Sequence, residues 1–319
     1  MSETQSYASY PKVSILIPVY NIEKYVARCL RSLFANTIIS DCEVIVVDDC
    51  SPDCSMKVVA DVLNEFPAFS KNVILRSHDY NRGLAAARNT ALLQAHGKYI
   101  VCVDSDDWVE PDYLEKLYAA AEKDNADVVM CDLIKKTKEK SEMISEIPFY
   151  GDCLSNLLLG NLHGWLHEKL IKHSLFMEHK ISWIEGLNIC EDLLIMTKVF
   201  FYAKKVVHVP KPLYHYDCTN QKSLTFSLNR NKVEQLKKVI LEIEKFLPLE
   251  YSDYINVQKS RTKIWILKGQ KNHQKEDFML YNSDSLSKCK LNLVSSRLFF
   301  LLCEKHFFFL LKFILIFKR

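Results

Sequence analysis

Apolar and polar positions alternate along the first 135 residues in blocks that change period. Val13 to Val19 is a continuous apolar run that ends in Pro18-Val19-Tyr20-Asn21, the pattern of a buried strand entering a turn. Ile22, Val26, Leu30, Leu33 and Phe34 then recur at helical spacing. Glu43 to Val47 predicts a second buried strand, ending in Asp48-Asp49-Cys50-Ser51-Pro52-Asp53, and the segment from Lys57 to Phe66 predicts a helix. A third strand is expected over Asn72 to Leu75, and a helix over Leu84, Ala87, Ala91, Leu92 and Ala95. Lys98 to Val103 reads as a fourth strand, closing on Asp104-Ser105-Asp106-Asp107. Pro111 stands where the next helix begins, a position that tolerates proline, and Asp127 to Cys131 is a fifth strand.

Beyond Lys135 the pattern loosens. The polar stretch to Glu146 predicts a loop, and helical material is expected around Leu154 to Phe176. Glu191-Asp192 leads an apolar helix to Ala203. Val206 to Val209 and Leu213 to Tyr216 read as short strands around Pro210 and Pro212. Amphipathic helices are expected over Lys232 to Leu247 and Tyr254 to Leu267, followed by a polar stretch from Lys271 to Lys290. Strands alternating with helices over short connections imply an α/β fold with a mostly parallel central sheet and a helical C-terminal extension. In such sheets ligands bind at the carboxyl ends of the strands.

Composition narrows the chemistry. With 319 residues, 49% hydrophobic and 25% charged, the chain can bury a large core. A net charge of +3 lacks the strong basic bias of a nucleic-acid binder. Only 7 glycines are present, against an average usage of about 7%. No GxGxxG and no GxxxxGK[ST] occurs, so neither glycine device for holding phosphate is available. The 11 cysteines include no CxxC pair, and several lie in apolar runs, as Cys102 does, which is how reduced buried thiols look. The polar first ten residues carry no signal-peptide core, which makes the cytoplasm the expected compartment.

The last segment, Arg297 to Arg319, is different. Its charges, Glu304, Lys305, Lys312, Lys318 and Arg319 with Arg297, fall in one sector about 140° wide on a helical wheel, and the remaining arc is Leu, Phe and Ile. That arrangement suits a helix lying in a membrane interface, with a basic excess that favours an anionic leaflet. A buried terminal helix is the plainer alternative.

Three acidic clusters mark the expected convergence of the sheet: Asp48-Asp49, Asp104-Ser105-Asp106-Asp107 and Glu191-Asp192. Carboxylates crowded at strand ends repel one another unless a cation sits between them. Oxygen-only ligands favour Mg²⁺ or Mn²⁺, which would hold a diphosphate in place of a glycine loop. Each cluster also has a plain explanation. Asp48, Asp49 and Asp53 can form a polar turn with Ser51 and Pro52, Asp107 can begin the following turn, and Asp192 can stabilise a helix N-terminus.

Five motifs in order, Val13-Ser-Ile-Leu-Ile-Pro-Val-Tyr-Asn21, Val47-Asp-Asp-Cys-Ser-Pro-Asp53, Asn81-Arg-Gly-Leu-Ala-Ala-Ala-Arg-Asn89, Val103-Asp-Ser-Asp-Asp107 and Cys190-Glu-Asp-Leu-Leu194, favour the chemical explanation. Together they resemble the family 2 glycosyltransferases, inverting enzymes of the GT-A fold. The likeness runs from about Lys12 to Thr225 and takes in Pro212-Leu-Tyr-His-Tyr216 and Ser223-Leu-Thr225. It implies that Pro18 and Tyr20 flank the nucleotide base, that one of Asp48 and Asp49 recognises it, and that Arg88 lies near the nucleotide. It further implies that Asp104 lies near the ribose and helps hold a Mg²⁺ or Mn²⁺ bound by Asp106, and that Asp192 is the catalytic base. Cys50 departs from the pattern, since the family often has glycine there.

The resemblance implies transfer of a sugar from a nucleotide-diphosphate donor, most simply UDP-linked, to a glycan or lipid-linked acceptor in polysaccharide biosynthesis. The partners expected are that donor, that acceptor and a membrane surface met by the C-terminal helix, with no nucleic acid. The expected location is cytoplasmic, peripheral at the inner face of the membrane. The corresponding division is a disordered tail over 1–10 and a GT-A domain over 11–225, with a donor half to about 131 and an acceptor half after it. A helical extension over 226–290 and an amphipathic helix over 291–319 complete it. Several roles stay open. His215 is a third metal ligand or a packed residue between two tyrosines. Trp165 and Trp183 stack on a sugar or pack in the core, and Lys169 contacts the acceptor or sits on the surface. Two rivals remain. One is an inactive sugar-nucleotide binder or membrane scaffold. The other is a DxD phosphotransferase, which would usually carry Thr or Val where Trp108 stands.

Overall fold

The structure is a computed structural model, and it describes residues 10–145, 152–220 and 228–269. The N-terminal tail to residue 9, the polar stretch over 271–290 and the expected tail helix lie outside the described residues. Chain contacts divide the protein into two units, one over 1–148 and 164–223 and the other over 149–163 and 224–319.

The first unit opens with β1 (Val13–Val19), α1 (Val26–Phe34), β2 (Glu43–Asp48), α2 (Ser55–Glu65), the short α3 (Pro67–Ser70) and β3 (Val73–Ser77). It continues through α4 (Leu84–Leu92), β4 (Tyr99–Cys102), a two-residue β5 (Trp108–Val109), α5 (Tyr113–Asp124), β6 (Val128–Lys136) and β7 (Ser141–Ile144). After α6 (Cys153–Leu159), which belongs to the second unit, it resumes with β8 (Lys169–Lys172), α7 (His173–Glu178), α8 (Glu191–Tyr202) and β9 (Val206–Asp217). In the second unit α6 and α9 (Arg230–Phe246) both pack on α10 (Ser252–Gly269). Among the described residues no helix is long and apolar enough to cross a membrane.

The strands form one sheet in the order β3-β2-β1-β4-β8-β6-β9-β5, with β7 paired to β6. β3, β2, β1 and β4 are all parallel. β8 joins antiparallel to both β4 and β6, and β6 and β9 run parallel. Every residue of β1 is buried, as is every residue of β2 except Asp48, which is why they read as unbroken apolar runs. The one charge inside, Glu43 at the start of β2, is matched by Ser14 Oγ and by the backbone amides of His96 and Gly97.

Four local expectations are corrected. The stretch expected as a polar loop after Lys135 is the end of β6 and the hairpin strand β7, three of whose four residues are exposed, so no apolar face marked it. The expected helix through Phe176 is interrupted by β8. Val206 to Tyr216 is one strand, and a register irregularity around Asp132 absorbs its two prolines. Lys169 is neither on the surface nor available to an acceptor: it is fully buried against Glu168 and donates to the Trp165 carbonyl at 2.7 Å.

Pro18 shapes the sheet at its functional end. The pairing of β1 with β4 stops at Leu16–Cys102, whereas β1 stays paired with β2 through Val19–Asp48. A proline in a strand has no amide to donate. Pro18 therefore stands where β4 has already turned away, and the chain after β4 leaves the sheet to form the Asp104–Asp107 turn.

Candidate active site

The site grows from the carboxyl ends of β1, β2 and β4. Three non-glycine residues hold left-handed backbone beside its motifs: Asn21 (φ +53°) after β1, Cys50 (φ +59°) after β2 and Cys190 (φ +54°) before α8. Such backbone costs an L-residue about 1 kcal/mol or more and is retained where the surrounding structure demands the turn. Glycine at position 50 would relieve that cost. Cys50→Gly is therefore expected to raise unfolding stability by about 1 kcal/mol. An unchanged or lower urea midpoint would contradict the strain assigned to this turn.

The two carboxylates after β2 have separate environments. Asp48 is half-buried and accepts the Ser51 amide at 2.9 Å. Asp49 is buried: its Oδ1 meets His78 Nδ1 at 2.7 Å and accepts the Arg82 amide at 2.8 Å, and its Oδ2 accepts the Gly83 amide at 2.7 Å. Asp49 thus organises the loop before α4, and its oxygens are turned to protein rather than to a base. Asp53 caps the next turn, receiving the Glu23 amide and both the amide and hydroxyl of Ser55. Tyr20 is 46% exposed and open to a planar ligand, whereas Pro18 is buried within β1.

Arg88 is not an open nucleotide contact. It is 3% exposed, donating from Nη2 to Asp104 Oδ1 at 2.8 Å and from Nη1 to Glu191 Oε1 at 2.5 Å. One guanidinium therefore joins the acidic turn after β4 to the head of α8. The acid beside Glu191 is Asp192, half-buried in the first turn of α8. Burial pushes the Asp192 carboxyl up; Arg88 opposes this and Asp104 adds to it. Burial also opposes charge on Asp104, but Arg88 and His167 outweigh it and hold that carboxyl well below the usual range.

The rest of the acidic turn divides by partner. Asp106 accepts from Asn220 Nδ2 at 2.9 Å, and burial and Asp104 push its carboxyl up to about 6. Arg28 fixes the backbone here, donating to the Asp106 carbonyl at 2.5 Å and to Asp217 at 2.7 Å. Asp107 is fully buried, and its two oxygens accept the Tyr214 hydroxyl and the Asp217 amide, both at 2.7 Å. Asp104, Asp107 and His167 offer ligand atoms within 4.8 Å of one another, a group with the geometry for a metal ion; Asp106 is not part of it.

His167 had no signal in the sequence, since it belongs to none of the five motifs. His215 lies elsewhere: it stacks on Trp108 and its Nε2 meets Glu110 at 2.6 Å. Trp183 is buried and stacks on Phe176, as a packing residue does, whereas Trp165 is half-buried and stacks on His167.

The protein matches known sequences and structures along the same residues. The profile described as glycosyl transferase family 2 matches residues 14–179. A Bacillus subtilis protein named as a glycosyltransferase, EpsH, is 35% identical over 215 residues, covering 65% of this chain and 60% of its own length. The poly(ribitol-phosphate) beta-glucosyltransferase of Bacillus spizizenii is 33% identical over 199 residues, covering 61% of this chain and 30% of that protein. The chain thus spans less than two thirds of either relative. Among solved structures, Staphylococcus aureus TarS 1–349 in complex with UDP superposes with a TM-score of 0.63 at 23% identity, over 84% of this chain and 78% of that one. The mannosyltransferase PcManGT of Pyrobaculum calidifontis, in complex with GDP-Man and Mn²⁺, gives 0.58 at 16% identity, over 93% and 85%.

Proposed function

The chain belongs to glycosyl transferase family 2, and from that premise we propose that it is an inverting, metal-dependent transferase moving a sugar from a UDP-linked donor to a glycan or lipid-linked acceptor. The observation that carries this reading is the bridge through Arg88, which draws the Asp104 turn and the Glu191-Asp192 helix head into one site. The acceptor hydroxyl oxygen attacks the anomeric carbon, the bond from that carbon to the diphosphate oxygen breaks, and Asp192 takes the hydroxyl proton. Burial and Asp104, by raising Asp192, make it a better base than a solvated aspartate. Asp104 and Asp106 are the residues that would hold Mg²⁺ or Mn²⁺. The raised Asp106 carboxyl supports this, since a crowded carboxylate near its neighbour gains most from a cation. When bound, the ion neutralises the departing diphosphate as a Lewis acid. Asp107 is occupied with the Tyr214 hydroxyl and the Asp217 amide and serves as support. Tyr20 and Asp48 are left to face the base and ribose end.

The test is a screen of UDP-, GDP- and dTDP-sugars for binding and slow hydrolysis with and without Mn²⁺. A UDP-sugar is expected to bind in a Mn²⁺-dependent way. A proton competes with the ion for Asp106, so Mn²⁺ affinity should hold above pH about 6 and fall below it. Binding of none of the three donors would overturn the reading in favour of a scaffold. The amphipathic pattern of Arg297 to Arg319 supports a peripheral position at the inner membrane face. Deleting that segment should abolish cosedimentation with anionic vesicles and spare donor hydrolysis; retained cosedimentation would exclude it as the anchor.

A further inference from the structure

We infer that Arg88 is a positioning residue through which the metal end and the acceptor end of the site are coupled, an inference that rests on the proposed metal dependence. α4 joins the two ends along its length. Ahead of it, Arg82 pairs with Glu185 at 2.7 Å. The Ala85 amide donates to Asn188 at 3.0 Å, Arg88 to Glu191 at 2.5 Å, and Asn89 exchanges two hydrogen bonds with the Trp183 backbone, at 2.8 and 2.9 Å. Positions 85, 88 and 89 fall at the three- and four-residue spacing of one face of α4. The whole segment from Trp183 to Glu191 is thereby fastened to α4, and Asp192 follows directly.

Only one of these fastenings also reaches the acidic turn. The other arm of Arg88 rests on Asp104. The guanidinium is planar and forked, which allows it to serve two carboxylates at fixed geometry, and a lysine could not reproduce this. Its charge is shared: the more fully Glu191 neutralises it, the less positive charge bears on Asp104. Events at the head of α8 are therefore felt at Asp104, and occupation of the acidic turn is felt at α8.

This sharing predicts effects of opposite sign that a purely structural ion pair would not give. Burial and Asp192 push the Glu191 carboxyl up to about 8, so the comparison is made above that pH. There Glu191→Gln leaves the Arg88 charge facing Asp104 alone, and the free protein should bind Mn²⁺ about tenfold more weakly, read by electron paramagnetic resonance of free Mn²⁺. Arg88→Met removes a cation beside Asp104, so Mn²⁺ should bind several-fold more tightly while sugar transfer falls by about 100-fold, because Asp192 loses its anchor. In the Arg88→Met background, adding Glu191→Gln should no longer weaken Mn²⁺ binding. Arg88→Lys serves if the methionine variant does not fold: it keeps the charge but not the fork, so transfer should fall with little change in Mn²⁺ affinity. Weaker Mn²⁺ binding in Arg88→Met, an unaltered affinity in Glu191→Gln, or full transfer by Arg88→Lys would overturn the coupling. A wild-type protein that binds no Mn²⁺ would instead overturn the metal reading on which the coupling stands.

Discussion

Asp192→Asn should lower sugar transfer by about 10³-fold while leaving UDP-sugar affinity within a few-fold of the wild type. General-base catalysis contributes about 10²- to 10⁴-fold, and asparagine keeps the size of the side chain but accepts no proton. The fold should tolerate the change. Asp192 lies in the first turn of α8, where its charge favours the helix, but burial and Asp104 push its carboxyl up, so a neutral side chain relieves a cost as well as removing a benefit. A comparison of initial rates with equilibrium donor binding separates the outcomes. Loss of donor binding would place Asp192 on the nucleotide side, and retained transfer would move the base to another group.

Asp49→Ala should cost about 3–5 kcal/mol of stability, because it strips the acceptor from His78 and from two backbone amides at a buried position. Folded domains hold only about 5–15 kcal/mol in reserve, so the variant should melt at much lower urea concentration. Asp48→Ala, which gives up one turn hydrogen bond, should cost about 1 kcal/mol. The resemblance treats the two aspartates as one strand-end pair; their surroundings separate them. If Asp49→Ala keeps its urea midpoint and loses only donor affinity, Asp49 is a ligand-binding residue and its role in the loop before α4 is minor.

The sequence made the parallel part of the sheet readable because β1, β2 and β4 are buried on both faces and therefore apolar without interruption. It also marked the acids after β2 and β4 as candidates, since they follow those strands directly. β8 escaped notice for the opposite reason. It opens on Lys169, a charge that is buried only because Glu168 and the Trp165 carbonyl receive it, and a charged residue reads as surface until its partner is known. The partners within the site were hidden in the same way. Arg88 and Glu191 are 103 positions apart, and no spacing rule relates them. The resemblance implied that Arg88 lies near a nucleotide, and the fold shows its charge spent on two carboxylates.

The fastening of α4 to the Trp183–Glu191 segment bears on how that segment could be transplanted. A chimera that exchanges 183–191 alone would bring foreign side chains to Arg82, Ala85, Arg88 and Asn89 and leave the helix head out of register. The transferable cassette is discontinuous: the helix face and the segment it carries must travel together, although about ninety residues of chain separate them.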